Sequence, residues 1–569
     1  MKTKKIILTT FVNLMLIAST LQAQQPTFVW AKQIGGNYTD LAQSITTDAN
    51  GNVYTTGYFG GTADFDPGAG TVNLTSNGGR DIYVQKLDAK GNFLWAKQMG
   101  GTDYWSGITN KGNSIVTDAN GNVYTTGAFG GTVDFDPGAA TTNLTSVGGN
   151  DIFIQKLDAN GNLIWVKQIG GGYNDNGLAI ATDAKGNLYI TGNFTGTVDF
   201  DPGVEITNLT SAGSFDIFIQ KLDNNGNLLW VKKFGDKNND WGNSITTDAN
   251  GNVYTTGFFE GVVDFDPGAE TANLTSAGLY DAFIQKLDAD GNLLWVKQMG
   301  GTRYDRGNSI TVDANGNVYT IGEFEDTADF DPGTETANLT SAGSEDIFIQ
   351  KLDVNGNFLW VNQIGGKKSE VGNSITVDAN GNVYSTGSFT GTVDFNPGTD
   401  IINLTDEGGG GAFIQKLDGN GNLLWVKQIG GTATSITSDV NGNIYTTGYF
   451  FNTKDFDPGD GTANLTSTGE SDIFIHKLSS TIVGLSESSF SEDYVVCPNP
   501  TDGKFSIKFD NTQESVTVRI LSLTGQVIVS KQFQNTNNIQ LEIEQPNGIY
   551  ILETIDEQGT KSALRIVKQ

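Results

Sequence analysis

Seven tryptophans cut this chain into near-equal lengths. Trp30, Trp95, Trp165, Trp230, Trp295, Trp360 and Trp425 follow one another at steps of 65, 70, 65, 65, 65 and 65 residues. A fixed period of this length means that one supersecondary unit is repeated, each copy burying its apolar face on the next. Around each Trp the text is nearly the same. From Lys286 to Gln298 it reads Lys-Leu-Asp-Ala-Asp-Gly-Asn-Leu-Leu-Trp-Val-Lys-Gln, a strand, a tight turn and a strand.

The unit from Gly242 to Gly301 divides into four strands, named A to D. A is the β-rich run Ser244–Asp248. Ala249-Asn-Gly-Asn252 turns the chain, and Asn-Gly, whose two residues accept positive φ, predicts a type I′ hairpin. B is Val253–Phe259, and a connection of about twenty residues leads to C, Asp281–Leu287. A second turn, Asp288–Asn292, leads to D, Leu293–Met299.

Four antiparallel strands in each of seven units predict an all-β, seven-bladed β-propeller, with C and D buried on both sheet faces by neighbouring blades. The Trp of strand D is then an inter-blade packing residue, which stabilises by roughly 2–3 kcal/mol when buried. The two ends of the repeat complement each other. Residues 28–34 are a D strand with no unit before them, and the last unit stops after its C strand, Asp472–Leu478. Residues 28–34 are therefore expected to supply the outer strand of the blade formed by 434–478, closing the ring and removing an open edge. An open solenoid would want polar capping repeats instead.

Gly-Asn-Ser-Ile-Thr-Thr-Asp-Ala-Asn-Gly-Asn-Val-Tyr-Thr-Thr-Gly (242–257) resembles the bacterial SBBP-type β-propeller repeat, and the likeness covers residues 28–478 in seven copies. The C–D hairpin is also similar to quinoprotein propeller repeats in its Asp, Gly and Trp spacing. The neighbouring cysteine pair of many quinoprotein dehydrogenases has no counterpart in a chain with one Cys.

A meander places the A–B and C–D turns on one face and the B–C and D–A connections on the other. The first face is short and uniform. The D–A loop varies, gaining five residues near Trp105–Asn110 and losing four near Thr432–Thr434. Its content changes too, as in Tyr173–Asn176, Asp236–Asp240, Arg303–Arg306 and Lys367–Glu370. Variation on one face of a rigid scaffold is where binding sits.

The B–C connection repeats Asp-Phe-Asp-Pro-Gly. Its carboxylates are Asp64 and Asp66, Asp134 and Asp136, Asp199 and Asp201, Asp264 and Asp266, Asp329 and Asp331, Asp455 and Asp457, with a variant Asp394-Phe-Asn-Pro-Gly398. In an extended segment both carboxylates project to one side, and Pro-Gly suits a type II turn. Two readings fit these pairs: Ca²⁺ ligands, since that cation takes oxygen donors, or acceptors that close a turn. Asn-Leu-Thr-Ser further along suggests that the connection forms its own small hairpin. The Asp-Ala-Asn-Gly-Asn turns lack the alternating acids and distant Glu of an EF-hand, and hairpin chemistry accounts for them.

The net charge of −30 argues against nucleic acid and anionic membrane surfaces as partners. With one Cys, Cys497, the chain has no internal disulfide and no cysteine metal cluster, and with one His, His476, Ser-His-Asp catalysis and His-ligated zinc have almost nothing to draw on. His476 replaces a strand Gln (Gln85, Gln155, Gln220) and reads as packing. Residues 1–23 read as a secretory signal peptide, with Lys2, Lys4 and Lys5 before the apolar run Ile6–Ala18 and cleavage after Ala23. No later segment has the length and apolarity of a transmembrane helix.

The period ends at Leu478, so the propeller is assigned to 24–478. Residues 479–494 read as a Ser-rich linker. In 495–569, short apolar runs predict a small β-sandwich. Its Pro-Asn-Pro (498–500), Thr-Gly-Gln (524–526) and Asn-Gly-Ile-Tyr (547–550) elements, and Lys568 near the end, resemble the type A C-terminal sorting domain of type IX secretion substrates in Bacteroidetes. That resemblance implies the type IX machinery as a partner and a secreted or outer-surface location. The expected function is a binding or adhesion module for an extracellular glycan or protein. The alternatives are a structural surface protein and a propeller hydrolase or lyase. An acidic motif repeated almost identically argues against an enzyme, because catalysis needs one asymmetric constellation.

Overall fold

A computed structural model of the chain describes residues 25–102, 110–398, 400–479, 494–498, 501–522, 527–545, 548–556 and 561–568. The leader 1–23, most of the linker and the D–A loop around Trp105 lie outside the described residues. Every regular element among them is a strand. The chain splits into two compact units, Met1–Ser480 and Thr481–Gln569.

The fourth repeat shows how the sequence builds a unit. Strand A, Trp241–Thr247, pairs with B, Val253–Phe259; B pairs with C, Asp281–Leu287; and C pairs with D, Leu293–Gly301, all antiparallel. The A–B turn departs from the expected type I′ form. In Asn250-Gly251 only the glycine has positive φ, 83°. Gly251 N–H donates to the Asp248 carbonyl, and Asp248 N–H to the Asn252 carbonyl. This is a three-residue loop completed by a left-handed Gly. The cause is the Asp248 side chain. Its Oδ1 accepts the N–H groups of Asn250 and Asn252, and its Oδ2 accepts Asn252 Nδ2 and the Tyr254 hydroxyl. A side chain bonding its own turn in this way overrides the dipeptide's preference.

Consecutive units share their cores. Ile217, Ile219 and Phe234 of one unit pack with Val253, Phe259, Phe265 and Phe283 of the next. The D-strand Trp bridges the same junction. Trp295 is half-buried; its Nε1 donates to the Val354 carbonyl, and its ring lies 3.1 Å from where a Cβ on Gly356 would be. Gly356 has φ 78° and faces an indole, so both backbone and space demand glycine there.

Strand D ends in Gly300-Gly301, whose role the repeat pattern alone does not reveal. These residues pair with Asp329 and Ala328 of the following B–C hairpin. A Cβ on Gly300 would lie 2.6 Å from the carboxyl carbon of buried Asp281, and one on Gly301 would lie 2.1 Å from the Thr327 carbonyl oxygen. The pair of glycines thus lets one unit's last strand clamp the next unit.

The N-terminal strand Thr27–Gly36 makes both contacts at once. Thr27 to Ile34 pair with Ser479 to Ile473, as the fourth strand of the last unit, and Gly35 and Gly36 pair with Asp64 and Ala63 of the first. Strands A are joined in series as well. Ser44, Ser114, Ser244, Ser309 and Ser374 each accept, on Oγ, the N–H of an Ile in the following unit, and Ser435 of the last unit accepts from Ile45 of the first. Ala179 stands at the remaining junction and has no hydroxyl to offer.

In the second compact unit the described strands form one five-stranded antiparallel sheet. The long strand Lys504–Ser522 links it, pairing with Tyr494–Cys497 along its first half, with Gly548–Asp556 along its second, and with Val527–Glu542 throughout. Phe505, Ile507, Val518, Ile520, Leu552 and Ile566 fill its core.

Candidate functional site

The Asp-Phe-Asp-Pro-Gly residues sit on the hairpin that extends strands B and C. In the fourth unit Val262–Asp264 pairs with Asn273–Thr275, so the connection is a hairpin as expected. Phe265 is fully buried between Phe259 and Phe283. Asp264 Oδ1 accepts the N–H groups of Asp266 and Ala272, and Asp266 Oδ1 accepts that of Gly268. Gly268 does not take the positive φ of a type II turn; the Asp266 side chain sets the bend instead. Asp64/Asp66, Asp134/Asp136, Asp199/Asp201, Asp329/Asp331 and Asp455/Asp457 repeat these bonds. The sixth unit is an internal control. Asn396 carries no charge, yet its Oδ1 accepts the Gly398 N–H at 3.0 Å, so the turn needs an acceptor oxygen rather than an anion.

The structure keeps these pairs in separate units. Among the described residues no three His, Cys, Asp or Glu side chains gather where they could hold a metal ion. Asp264→Ala should destabilise the protein by about 1–3 kcal/mol, since two N–H groups lose their acceptor. Asp266→Asn should cost less than about 0.5 kcal/mol, as the sixth unit indicates. Unfolding midpoints measure both. The same assay with Ca²⁺ and with a chelator separates turn closure, which leaves the midpoint fixed, from cation binding, which raises it.

Variation between units concentrates elsewhere. The cross-strand pair of A and B that flanks a repeated strand B glycine differs in every repeat: Leu41 with Tyr58, Lys111 with Ala128, Asn176 with Asn193, Trp241 with Phe258, Arg306 with Glu323, Val371 with Ser388, Thr432 with Tyr449. The residue of B just before this pair is glycine each time, from Gly57 to Gly448. Built as a Cβ, Gly257 would press to 1.8 Å from the Trp241 carbonyl oxygen. A fixed backbone thus presents a changing set of side chains, at the strand ends from which the B–C and D–A connections leave.

Over the fourth and fifth units these residues line an open depression of about 630 Å³. Trp241 and Phe258 are stacked with centroids 5.8 Å apart, and Phe215 meets Trp241 edge-on. The Arg306 guanidinium lies 5.3–5.6 Å from the rings of Phe258, Tyr280 and Tyr304 and donates to Glu323 at 2.8 Å. None of these seven aromatic and charged side chains stood out individually in the sequence. The one signal was Arg303–Arg306 as a loop of distinct content.

Beneath the varied pairs lies a row of buried carboxylates. Asp240 accepts the N–H groups of Asp236 and Glu260. Asp305 accepts that of Gly301. Burial pushes both up to about 7, with the neighbouring Asp216 and Asp281 adding to it. His476 is buried at the position of Gln285, and its Nε2 lies 3.0 Å from the Phe456 carbonyl as Gln285 Nε2 reaches that of Phe265. Burial pushes it down to about 4.

Comparison with known proteins agrees with this architecture. Residues 495–569 match the family described as secretion system C-terminal sorting domain. Segments 29–58, 164–196, 229–257, 294–323 and 359–391 match the β-propeller repeat family. The chain thus carries β-propeller repeats of the SBBP type and a C-terminal type IX sorting domain, which indicates export to the cell surface or the extracellular space. The sorting domain implies contact with the type IX secretion machinery. No helix among the described residues is long and apolar enough to cross a membrane.

Two curated relatives are the uncharacterized WD repeat-containing protein L264 of Acanthamoeba polyphaga mimivirus, 26% identical over 63% of this chain, and the regulatory protein FlaEY of Caulobacter vibrioides, 26% identical over 45%. The chain matches 31% and 26% of their respective lengths. Among solved structures, Sqt1 from Chaetomium thermophilum aligns over 80% of this chain and 100% of its own, at 10% identity and a TM-score of 0.35.

Proposed function

We propose that residues 24–478 form a closed ring of seven four-stranded blades, and that this ring works outside the cell as a binding module. Ring closure is supported by Thr27–Gly36, which pairs with both the last unit and the first, and by the Ser435–Ile45 bond, which continues the series of strand A contacts. Binding through the face that carries the Trp241–Phe258 and Arg306–Glu323 pairs rests on one observation. Seven units hold one backbone, and the A–B pair beside the strand B glycine is different in all of them. A purely structural ring has no use for half-exposed Trp241 and Tyr280 on that surface, where apolar area is unfavourable.

The test compares the full chain with a Trp241→Ala/Arg306→Ala double variant matched in unfolding midpoint. Both are titrated against washed bacterial envelopes and soluble extracellular polymer. A loss of about tenfold or more in the variant is expected if the depression holds the anchoring side chains. Equal binding by both proteins, or binding by neither, overturns the assignment of this face and leaves the structural role.

A further inference from the structure

The depression over the fourth and fifth units has a chemistry that narrows its ligand class, and the inference rests on the binding-face reading above. One wall is aromatic. Trp241 and Phe258 lie with their rings 18° from parallel, and Tyr280 is 4.8 Å from Phe258. The other wall is polar but balanced, because Arg306 is already paired with Glu323. Between them stand the carboxamides of Asn243, Asn308 and Asn373. Each donates through Nδ2 to a carbonyl of the following unit, Gly307, Gly372 and Ala433, so the amide planes are fixed before any ligand arrives.

Each feature excludes a class. The Arg306–Glu323 pair leaves the site without net charge, and the whole chain carries −30, so an anion has nothing to hold it. A fatty or purely aromatic ligand would strip water from the remaining amide hydrogen-bonding groups and from the ion pair while offering them no hydrogen bond in return. A volume of about 630 Å³ is that of a small-ligand site, too small to seat a protein surface. What remains is a neutral molecule with a flat apolar face and a rim of hydroxyl groups. A pyranose ring has that form, its axial C–H face suited to an indole and its hydroxyls to preset amides and an Arg–Glu pair.

We propose that this depression binds a neutral saccharide, with one sugar ring stacked on Trp241 and its hydroxyls bonded to Asn243, Asn308 and the Arg306–Glu323 pair. The equivalent places in the other units carry Leu41, Lys111, Asn176, Val371 and Thr432. Among the described residues no other strand A has an aromatic side chain at this place.

Calorimetric titration of the full chain tests this. The probes are neutral gluco-, manno-, galacto- and xylo-oligosaccharides, with oligogalacturonate and oligoglucosamine as charged counterparts. One neutral series should bind with a stoichiometry near one. Trp241→Ala should weaken it by about 20-fold and Trp241→Phe by less than about fivefold, because a ring is kept. Leu41→Ala, at the same place in the first unit, should leave it unchanged. Failure of every neutral series, equal affinity in Trp241→Ala, or binding confined to the charged oligomers overturns the proposal. If envelope binding depends on Trp241 while the neutral series are silent, the saccharide falls and the binding face stands; if neither responds, both fall. The insoluble polymer of the sugar that binds separates two sources: a site for surface glycan retains the protein on it, whereas a site for free sugar is saturated by the disaccharide and ignores the polymer.

Discussion

Deletion of residues 24–36 should abolish cooperative unfolding of the first compact unit. The segment is short, yet it carries contacts that sequence distance hides. Residues 27–34 are the outer strand of the last unit, with Trp30 opposite Lys477 and Ile34 opposite Ile473. Gln33 donates to the Thr466 carbonyl and to Asp472. Phe28 lies 5.6 Å from His476, and Trp30 sits over Gly91 of the first unit. Without the strand, buried Ile473 and Ile475 lose their cover and the last sheet gains an open edge. The loss exceeds about 5 kcal/mol, comparable with the net stability of a typical domain. Thermal unfolding and limited proteolysis measure it, and an unchanged midpoint would sink the closed ring. A synthetic peptide of residues 25–36, added in trans, should restore part of the lost midpoint.

The second large effect is with pH. Asp40, Asp175, Asp240, Asp305 and Glu370 are buried at junctions between units, and desolvation raises each to about 7, helped by a carboxylate of the preceding unit. Asp81 and Asp151 are raised to about 6. In the unfolded chain these groups titrate near 4. Between roughly pH 4 and 7 the folded protein therefore holds more protons, so stability is greatest at the acid end of this window and falls as pH rises through it. His476 opposes the trend. Its folded value of about 4 lies below the unfolded one, so it favours the folded state as pH rises from about 4 to 6.5. One imidazole against seven carboxyl groups leaves the sign unchanged. The unfolding midpoint should be roughly 5 °C or more higher at pH 5 than at pH 8. His476→Gln, which restores the residue of the other units, should enlarge the difference; a midpoint that rises with pH would contradict the buried row.

Period and pattern made the strands legible. The 65-residue step, the turns at Asn-Gly and the displaced strand at 28–34 gave the order and pairing of the units. Turn geometry was less legible, because the dipeptide Asn250-Gly251 does not show that the Asp248 carboxylate will take four hydrogen bonds and reset it. The Gly300-Gly301 step was read past as well, since its reason is Asp281 packed against it from another strand. The depression was hidden for a related reason. Phe215, Trp241, Phe258, Tyr280 and Arg306 come from three units and meet only when the sheets are set side by side. A repeat advertises what its copies share, whereas this site is made of what they do not.

The strand that completes the last sheet is made first, and its partner Asp472–Ser479 is made more than 430 residues later. Synthesis delivers the chain from its N-terminus, so Thr27–Ile34 must wait for its partner strand while the intervening units are built, although Gly35 and Gly36 can already pair with the first unit. Contacts of such separation form slowly, because the loop between them is closed at an entropic cost. The fold therefore acts as a check on completeness. A product cut short before Asp472 should leave Thr27–Ile34 without its partner strand, and limited proteolysis should cut it faster than the full chain. The residues that license export, 495–569, lie beyond the point at which the chain can first bring its two ends together.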